Sequence, residues 1–228
     1  MKPTSRHGDL APAEPLDDRA LSDGARVYRK SVKREETQRR NRAAIEDAAW
    51  QMFATKGFDA TTARDIIAAS GVSPGTFYNY YGTTESVFDV ILSRVVMEVG
   101  AVTGAARARS STLEDMLYRS NRAFLEHISS MPLAREFFER NQHHVRVSLS
   151  GGSAAAKLHD DMRADIIRMM PGVRLSLGEE KLVISLIFFS GLEALFLMAS
   201  GQTGDTESTS RFITQLILRG VLRGANGE

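Results

Sequence analysis

Residues 71–81, Gly71-Val72-Ser73-Pro74-Gly75-Thr76-Phe77-Tyr78-Asn79-Tyr80-Tyr81, constrain the fold more than any other stretch of this chain. Gly71 supplies the positive φ that stops one helix. Ser73 caps the next, and Pro74 suits its first turn, where a missing N–H is of no consequence. The helix that follows is too short to form a core alone, and it carries Thr, Asn and Tyr side chains. Two helices joined by so tight a turn form a helix-turn-helix. Polar groups at the start of its second helix suit phosphates and base edges better than an apolar interior.

The surrounding pattern is helical throughout. A first helix is expected from roughly Glu36 to Lys56, with Ile45, Ala48, Ala49, Met52 and Phe53 on one face and Gly57 at its end. Thr62 caps the second helix, Asp65 completes a capping box, and Ile66, Ile67 and Ala69 face inward. Phe77 anchors the third helix. After Gly82, Thr83 caps a fourth with Val87, Phe88, Ile91, Leu92, Val95 and Val96 as its apolar positions. Further helices are expected over Ser111–Ser129, Pro132–Val147, Ser153–Met170, Gly178–Ser200 and Ser208–Leu222, with Gly and Ser clusters between several of them. No strand alternation appears, so the fold class is all-α.

Net charge is only +1, which argues against a uniformly basic surface. It conceals a local asymmetry: between Arg26 and Arg42 eight basic residues face only Glu35 and Glu36. Such a stretch can follow a phosphate backbone, although alone it reads equally well as a solvated tail. The chain has no cysteine, which excludes disulfides, thiolate metal sites and a cysteine nucleophile. The run Leu182–Ala199 is apolar enough to suggest a membrane. Glu193 interrupts it, and Ser176-Leu177-Gly178-Glu179 before it is a capping box of a soluble helix. A buried or interfacial helix is the better reading, and with no signal-peptide core near the N-terminus a cytoplasmic location is expected.

Ala48-Ala49, Phe53, Gly57-Phe58, Thr61-Thr62, Ile66-Ile67, Gly71 through Tyr78 and Tyr80-Tyr81 together resemble the TetR family of bacterial transcriptional regulators. The resemblance covers about a fifth of the chain, from Ile45 to Val87. It implies an N-terminal three-helix helix-turn-helix DNA-binding domain followed by a C-terminal helical ligand-binding and dimerisation domain. The expected division is a disordered basic and polar arm over 1–30, the DNA-binding domain over 31–86, and the effector-binding and dimerisation domain over 87–228. The implied protein is a homodimeric repressor released from a palindromic operator by a small-molecule effector. The alternative is an activator, or a regulator that depends on a co-repressor and has no inducing ligand. The expected partners are double-stranded operator DNA, an unknown small-molecule effector and a second copy through the last two helices. No cofactor, metal or membrane is expected.

Chemistry and resemblance agree on the candidate DNA contacts. Thr62, Ser73, Tyr78 and Tyr80 suit phosphates, whereas Arg64, Gly75, Thr76 and Asn79 suit base readout. Pro74 belongs to the same helix start. Thr62 and Ser73 would cap helices even without DNA, and Tyr81 is expected to pack inward. The family commonly has Lys at the position of Thr84 and Glu at that of Ser86, so one phosphate contact here is absent or made by a hydroxyl.

Candidates for an effector pocket are Phe124, His127, Phe137, Phe138, Asn141, His144, Met162, Ile166, Phe188 and Glu193. Glu193, a carboxylate within an apolar helix, needs a partner: a ligand cation, an Arg such as Arg122 or Arg163, or a group across the dimer interface. Leu182, Leu186, Phe189, Phe196, Phe212 and Leu216 are the candidate dimer interface. Gly71-Val72-Ser73-Pro74-Gly75 also matches the G-x-S-x-G of hydrolases. That elbow needs a preceding strand and an N–H on the residue after the serine, and Pro74 has none. The chain is not expected to be an enzyme.

Overall fold

A computed structural model of the chain describes residues 18–151, 153–170 and 175–225. Ten helices make up the described residues: α1 (Asp18–Lys56), α2 (Ala63–Ser70), α3 (Pro74–Tyr80), α4 (Thr84–Ala108), α5 (Leu113–Ser130), α6 (Ala134–Arg140), α7 (Gln142–Gly151), α8 (Ser153–Met169), α9 (Leu177–Ala199) and α10 (Thr206–Ala225). The chain divides into two compact units, residues 1–42 and 43–228.

In the first unit the helix starts at Asp18, well before the expected Glu36, and corrects the disordered arm over residues 18–30. Residues 1–17 of that arm lie outside the described residues. The segment 18–30 is polar, yet its Ala, Leu, Arg and Lys are good helix formers, and it holds no proline.

In the second unit, local chemistry sets the element ends. Thr62 and Asp65 form the expected reciprocal cap of α2, and Gly71 ends it at φ 69°. Ser73 caps α3 with Pro74 in its first turn. Ser86 takes the place of a glutamate at the start of α4: its Oγ accepts the Thr83 N–H at 3.2 Å, so the box closes with a shorter side chain. Ser176 and Glu179 close another at α9. Of the three residues expected inward on α2, only Ile66 is fully buried; Ile67 is half-buried and Ala69 is exposed.

The helix expected over Pro132–Val147 is two helices, because Asn141 ends α6 and starts a new turn. Its Nδ2 donates to the Phe137 carbonyl at 2.7 Å and to the Phe53 carbonyl at 3.0 Å, and its Oδ1 accepts the Phe58 N–H at 2.7 Å. These three bonds hold the backbone in a bend that a straight helix would not permit.

One apolar core runs from Ile45, Phe53 and Phe77 through Phe88 and Ile91 to Phe137, Leu195 and Phe196, so helices on either side of residue 86 share it. Trp50 seals one flank, stacking on Phe137 at 4.0 Å while its Nε1 donates to the Pro132 carbonyl at 2.7 Å. A second cluster joins Met116, Leu117, Ile166, Ile184, Ile187, Ile213 and Ile217. The helix α9 is long and apolar enough to cross a membrane by length and composition alone. Here its Ile184, Ile187, Leu192, Leu195 and Phe196 are buried, and it packs on α5, α6, α8 and α10. Burial of this face accounts for part of its apolar composition.

Candidate nucleic-acid interface and effector cavity

Around the turn at Gly71, inward and outward residues separate cleanly. Phe77 is fully buried and fixes α3 to the core. Arg64, Ser73, Pro74, Gly75, Tyr78 and Asn79 are exposed on the other side, with Tyr78 at 58%. Thr76, Tyr80 and Thr84 are half-buried, and Tyr80 packs partly against the core. The N-terminal turn of α3 thus presents a glycine, hydroxyls and an amide side chain to solvent, flanked by Arg64 from α2.

Hydrogen bonding refines the individual roles. Ser73 Oγ accepts the Thr76 N–H at 3.1 Å and lies 2.8 Å from Thr76 Oγ1. Thr62 is turned inward on itself: both its N–H, at 2.9 Å, and its hydroxyl, at 2.7 Å, donate to Asp65 Oδ2. Hydrogen bonds from Lys56 and from the Thr62 N–H and hydroxyl hold that carboxyl well below the usual carboxylate range. Asp65 is therefore ionised at neutral pH, and the Thr62 hydroxyl is engaged with it while accepting the Asp65 N–H at 3.2 Å.

Tyr81 caps α3 and is buried, as its place in the pattern suggested. Its hydroxyl donates to Glu46 Oε1 at 2.6 Å, and Arg94 Nη1 donates to Glu46 Oε2 at 2.7 Å. Glu46 is buried in α1, so one carboxylate ties the end of α3 to both α1 and α4. Sequence reasoning missed Glu46 and Arg94. The signal was Glu46 sitting next to Ile45 on a face that is otherwise apolar.

The serine of the G-x-S-x-G string follows the helix α2, and its hydroxyl is occupied as a helix cap. A nucleophile elbow has the opposite local geometry.

The helices α4 to α9 line a cavity of about 100 Å³ that is partly open to solvent. Phe124, Phe138, Met162, Ile166 and Phe188 line it; the other five pocket candidates do not. Phe137 is fully buried, stacked between Trp50 and Phe88. Asn141 is the bend described above. His144 lies against Phe58, ring centroids 4.1 Å apart, with its Nε2 3.0 Å from Asp59. His127 faces Glu98 of α4 at 3.4 Å. Glu193 is not buried: it is exposed and paired with Arg146, whose guanidinium also sits 4.5 Å over the Phe196 ring. The arginines expected for Glu193 are engaged elsewhere, Arg122 with Glu126 and Arg163 with Glu180.

Sequence reasoning also missed two polar residues of the cavity wall, Asn121 and Arg107. Both were visible as breaks in an apolar row at helical spacing: Leu117-Asn121-Leu125 on α5 and Val99-Thr103-Arg107 on α4.

Among the candidate interface residues, Leu182, Leu186 and Phe189 on α9 and Phe212 and Leu216 on α10 are exposed. Phe196 is 1% exposed and belongs to the core, which corrects its place in the interface. It lies seven residues after Phe189, nearly two turns on and so on much the same side of α9, but there Arg146 and the core cover it.

Residues 45–91 match the family described as bacterial regulatory proteins, tetR family. An HTH-type transcriptional regulator of Bacillus subtilis, YfiR, is 30% identical over 90 residues, which is 40% of this chain and 42% of that protein. The HTH-type transcriptional repressor KstR2 of Rhodococcus jostii is 41% identical over 51 residues, 22% of this chain and 25% of that protein. Each match thus spans less than half the relative's length. Among solved structures, the fatty acid degradation regulator FadR of Bacillus halodurans superposes with a TM-score of 0.66 at 16% identity, over 79% of this chain and 96% of its own. FadR of Bacillus subtilis, in complex with stearoyl-CoA, does so with a TM-score of 0.66 at 14% identity, over 78% and 98%. These two likenesses establish the shared fold, and the match over residues 45–91 ties the helix-turn-helix segment to the bacterial regulatory proteins of the tetR family.

Proposed function

We propose that this protein is a sequence-specific DNA-binding transcriptional regulator of the cytoplasm, a homodimeric repressor released from a palindromic operator by a small-molecule effector. Residues 31–86 bind DNA, and residues 87–228 bind the effector and dimerise. The observation that carries the reading is the exposed N-terminal turn of α3, with Ser73, Gly75, Thr76 and Asn79 held outward by the buried Phe77. An α-helix fits the major groove, and side chains at its N-terminus reach base edges there. Tyr78, Tyr80 and Thr84 supply backbone contacts at the flank, and the basic stretch Arg26–Arg42 adds sequence-independent attraction.

The exposed apolar residues of α9 and α10 support a two-fold interface between copies, and two recognition helices one DNA turn apart read a palindrome. The cavity supports an effector, as does the stearoyl-CoA bound to a neighbour of the same fold. The helix α4 runs from the capping box beside α3 to the cavity wall at Thr103 and Arg107, so occupancy of the cavity bears on the helix that braces Glu46. By linkage, operator DNA then weakens effector binding by the factor by which effector weakens DNA binding.

Fluorescence anisotropy of the full chain with DNA from upstream of its own gene, over a salt series and against scrambled competitor, tests the reading. Competitor-resistant binding with a steep salt dependence is expected; binding that competitor abolishes at every salt concentration refutes sequence recognition at that DNA. At one base pair of the operator, Arg64→Ala is expected to cost about 1–3 kcal/mol of discrimination. Uniform weakening over all sequences would assign Arg64 to a phosphate instead.

A further inference from the structure

The cavity wall is apolar almost throughout, with Val95, Val99, Met116, Phe124 and Leu195 among its residues. Three buried polar side chains stand in it, Thr103, Arg107 and Asn121, and two of them are paired. The Thr103 hydroxyl donates to the Val99 carbonyl at 2.8 Å. Arg107, itself buried, donates through Nε to Asp165 Oδ2 at 2.7 Å, and Asp165 also accepts Arg168 Nη2 at 2.9 Å. Asn121 is the exception: it is 8% exposed, and its buried Nδ2 has no hydrogen-bond partner. A buried amide in that state is unfavourable unless something completes it.

The space beside this amide is kept open by a glycine. A Cβ on Gly191 of α9 would stand 3.5 Å from Asn121 Oδ1 and 3.8 Å from the Phe124 ring. Any residue with a side chain there would fill the place where a ligand group can reach the amide. A carboxylate is disfavoured, because it would have to share Arg107 with the like charge of Asp165 or remain unpaired in an apolar setting. Size sets a further limit. At about 100 Å³ the cavity is smaller than the 150 Å³ apolar cavity that admits benzene, so a single-ring ligand enters only as the wall yields, and a much larger one is excluded.

We propose that the cavity binds a small uncharged molecule with an apolar body and one carbonyl or hydroxyl group, which pairs with the Asn121 amide. This rests on the reading of the cavity as the effector site. It separates this chain from its stearoyl-CoA-bound neighbour by ligand size and charge, within one fold.

Three single-ring probes of similar shape test it on the full-length protein: ethylbenzene, acetophenone and benzoate, by titration calorimetry and thermal melting. Acetophenone is expected to bind about tenfold tighter than ethylbenzene, the worth of one hydrogen bond, and benzoate not to raise the melting temperature. Asn121→Leu removes the unpaired amide at nearly constant shape; it is expected to leave ethylbenzene binding unchanged and bring acetophenone down to it. Gly191→Val, a second variant that leaves the amide intact, is expected to abolish binding of both. Equal affinity for ethylbenzene and acetophenone, or a preference for benzoate, overturns the proposed ligand class while the effector cavity stands. If none of the three raises the melting temperature, the effector reading of the cavity falls, and the proposal with it.

Discussion

Replacing Asn141 with alanine is expected to lower the unfolding free energy by about 2–4 kcal/mol, which for a chain of this length is a fall of about 5–15 °C in melting temperature. The side chain is fully buried, and its three hydrogen bonds connect three elements: the end of α1 at Phe53, the loop after it at Phe58, and α6 at Phe137. Alanine leaves the Phe58 N–H without an acceptor and the Phe53 carbonyl without this donor, in a place that water reaches poorly. It also opens a small void beside Phe137. The neighbouring Arg140 makes a useful contrast. Its Nε donates to the Ala54 carbonyl at 3.0 Å, but the residue is exposed, so Arg140→Ala should cost no more than about 1 kcal/mol. Urea denaturation of both variants measures the difference. A loss from Asn141→Ala as small as that from Arg140→Ala would mean that water replaces all three bonds. Because Asn141 joins the C-terminal helices to the end of α1, operator affinity should fall in Asn141→Ala even at temperatures where the protein remains folded.

That residue also marks where sequence reading stops. The caps of α2, α3, α4 and α9 were legible because each is decided within four residues: Thr62 with Asp65, Ser73 with Pro74, Thr83 with Ser86, Ser176 with Glu179. Gly71 was legible for the same reason, since its conformation is a property of one residue. The outward face of α3 followed from these, because a seven-residue helix anchored by Phe77 has few ways to orient its remaining side chains. Asn141 could not be read in this way. Two of its three partners lie more than eighty residues back along the chain, and an asparagine in a helical pattern carries no mark of them.

Aromatic residues of the C-terminal helices show the same limit. Phe137 and Phe138 are adjacent and alike in type, yet Phe137 is stacked in the core and Phe138 lines the cavity. A helix turns each successive residue by about 100°, so the two must part, but only packing decides which goes where. Glu193 failed for a related reason. An acidic residue in an apolar run suggested burial, whereas the run is long enough to have an exposed side, and Arg146 meets it there. Asn121 and Arg107 are polar residues on faces that helical spacing makes buried, and polarity alone gives no sign of it.

The exposed apolar face of α9 and α10 carries the other large expected effect. Leu186→Glu should convert the proposed dimer to a monomer, weakening association more than a hundredfold. In a two-fold interface the substitution enters twice, so two leucine contacts are lost, about 3–6 kcal/mol, and two carboxylates must be desolvated as well. In the single chain Leu186 is 55% exposed, so the fold itself should change by no more than about 0.5 kcal/mol. Phe212→Glu on α10 should do the same, because that ring is 69% exposed on the partnering helix. Met97→Glu on α4 is the comparison: the side chain is as exposed, at 64%, but outside the proposed face, and association should not change. Sedimentation velocity reads the oligomer directly, and a palindromic operator reads its consequence. A monomer engages one half-site at a time, so the advantage of a full palindrome over a half-site should disappear in Leu186→Glu and persist in Met97→Glu. The reverse outcome, a dimer indifferent to Leu186 and Phe212 but broken at Met97, would move the interface to α4 and leave the apolar residues of α9 and α10 to some other partner.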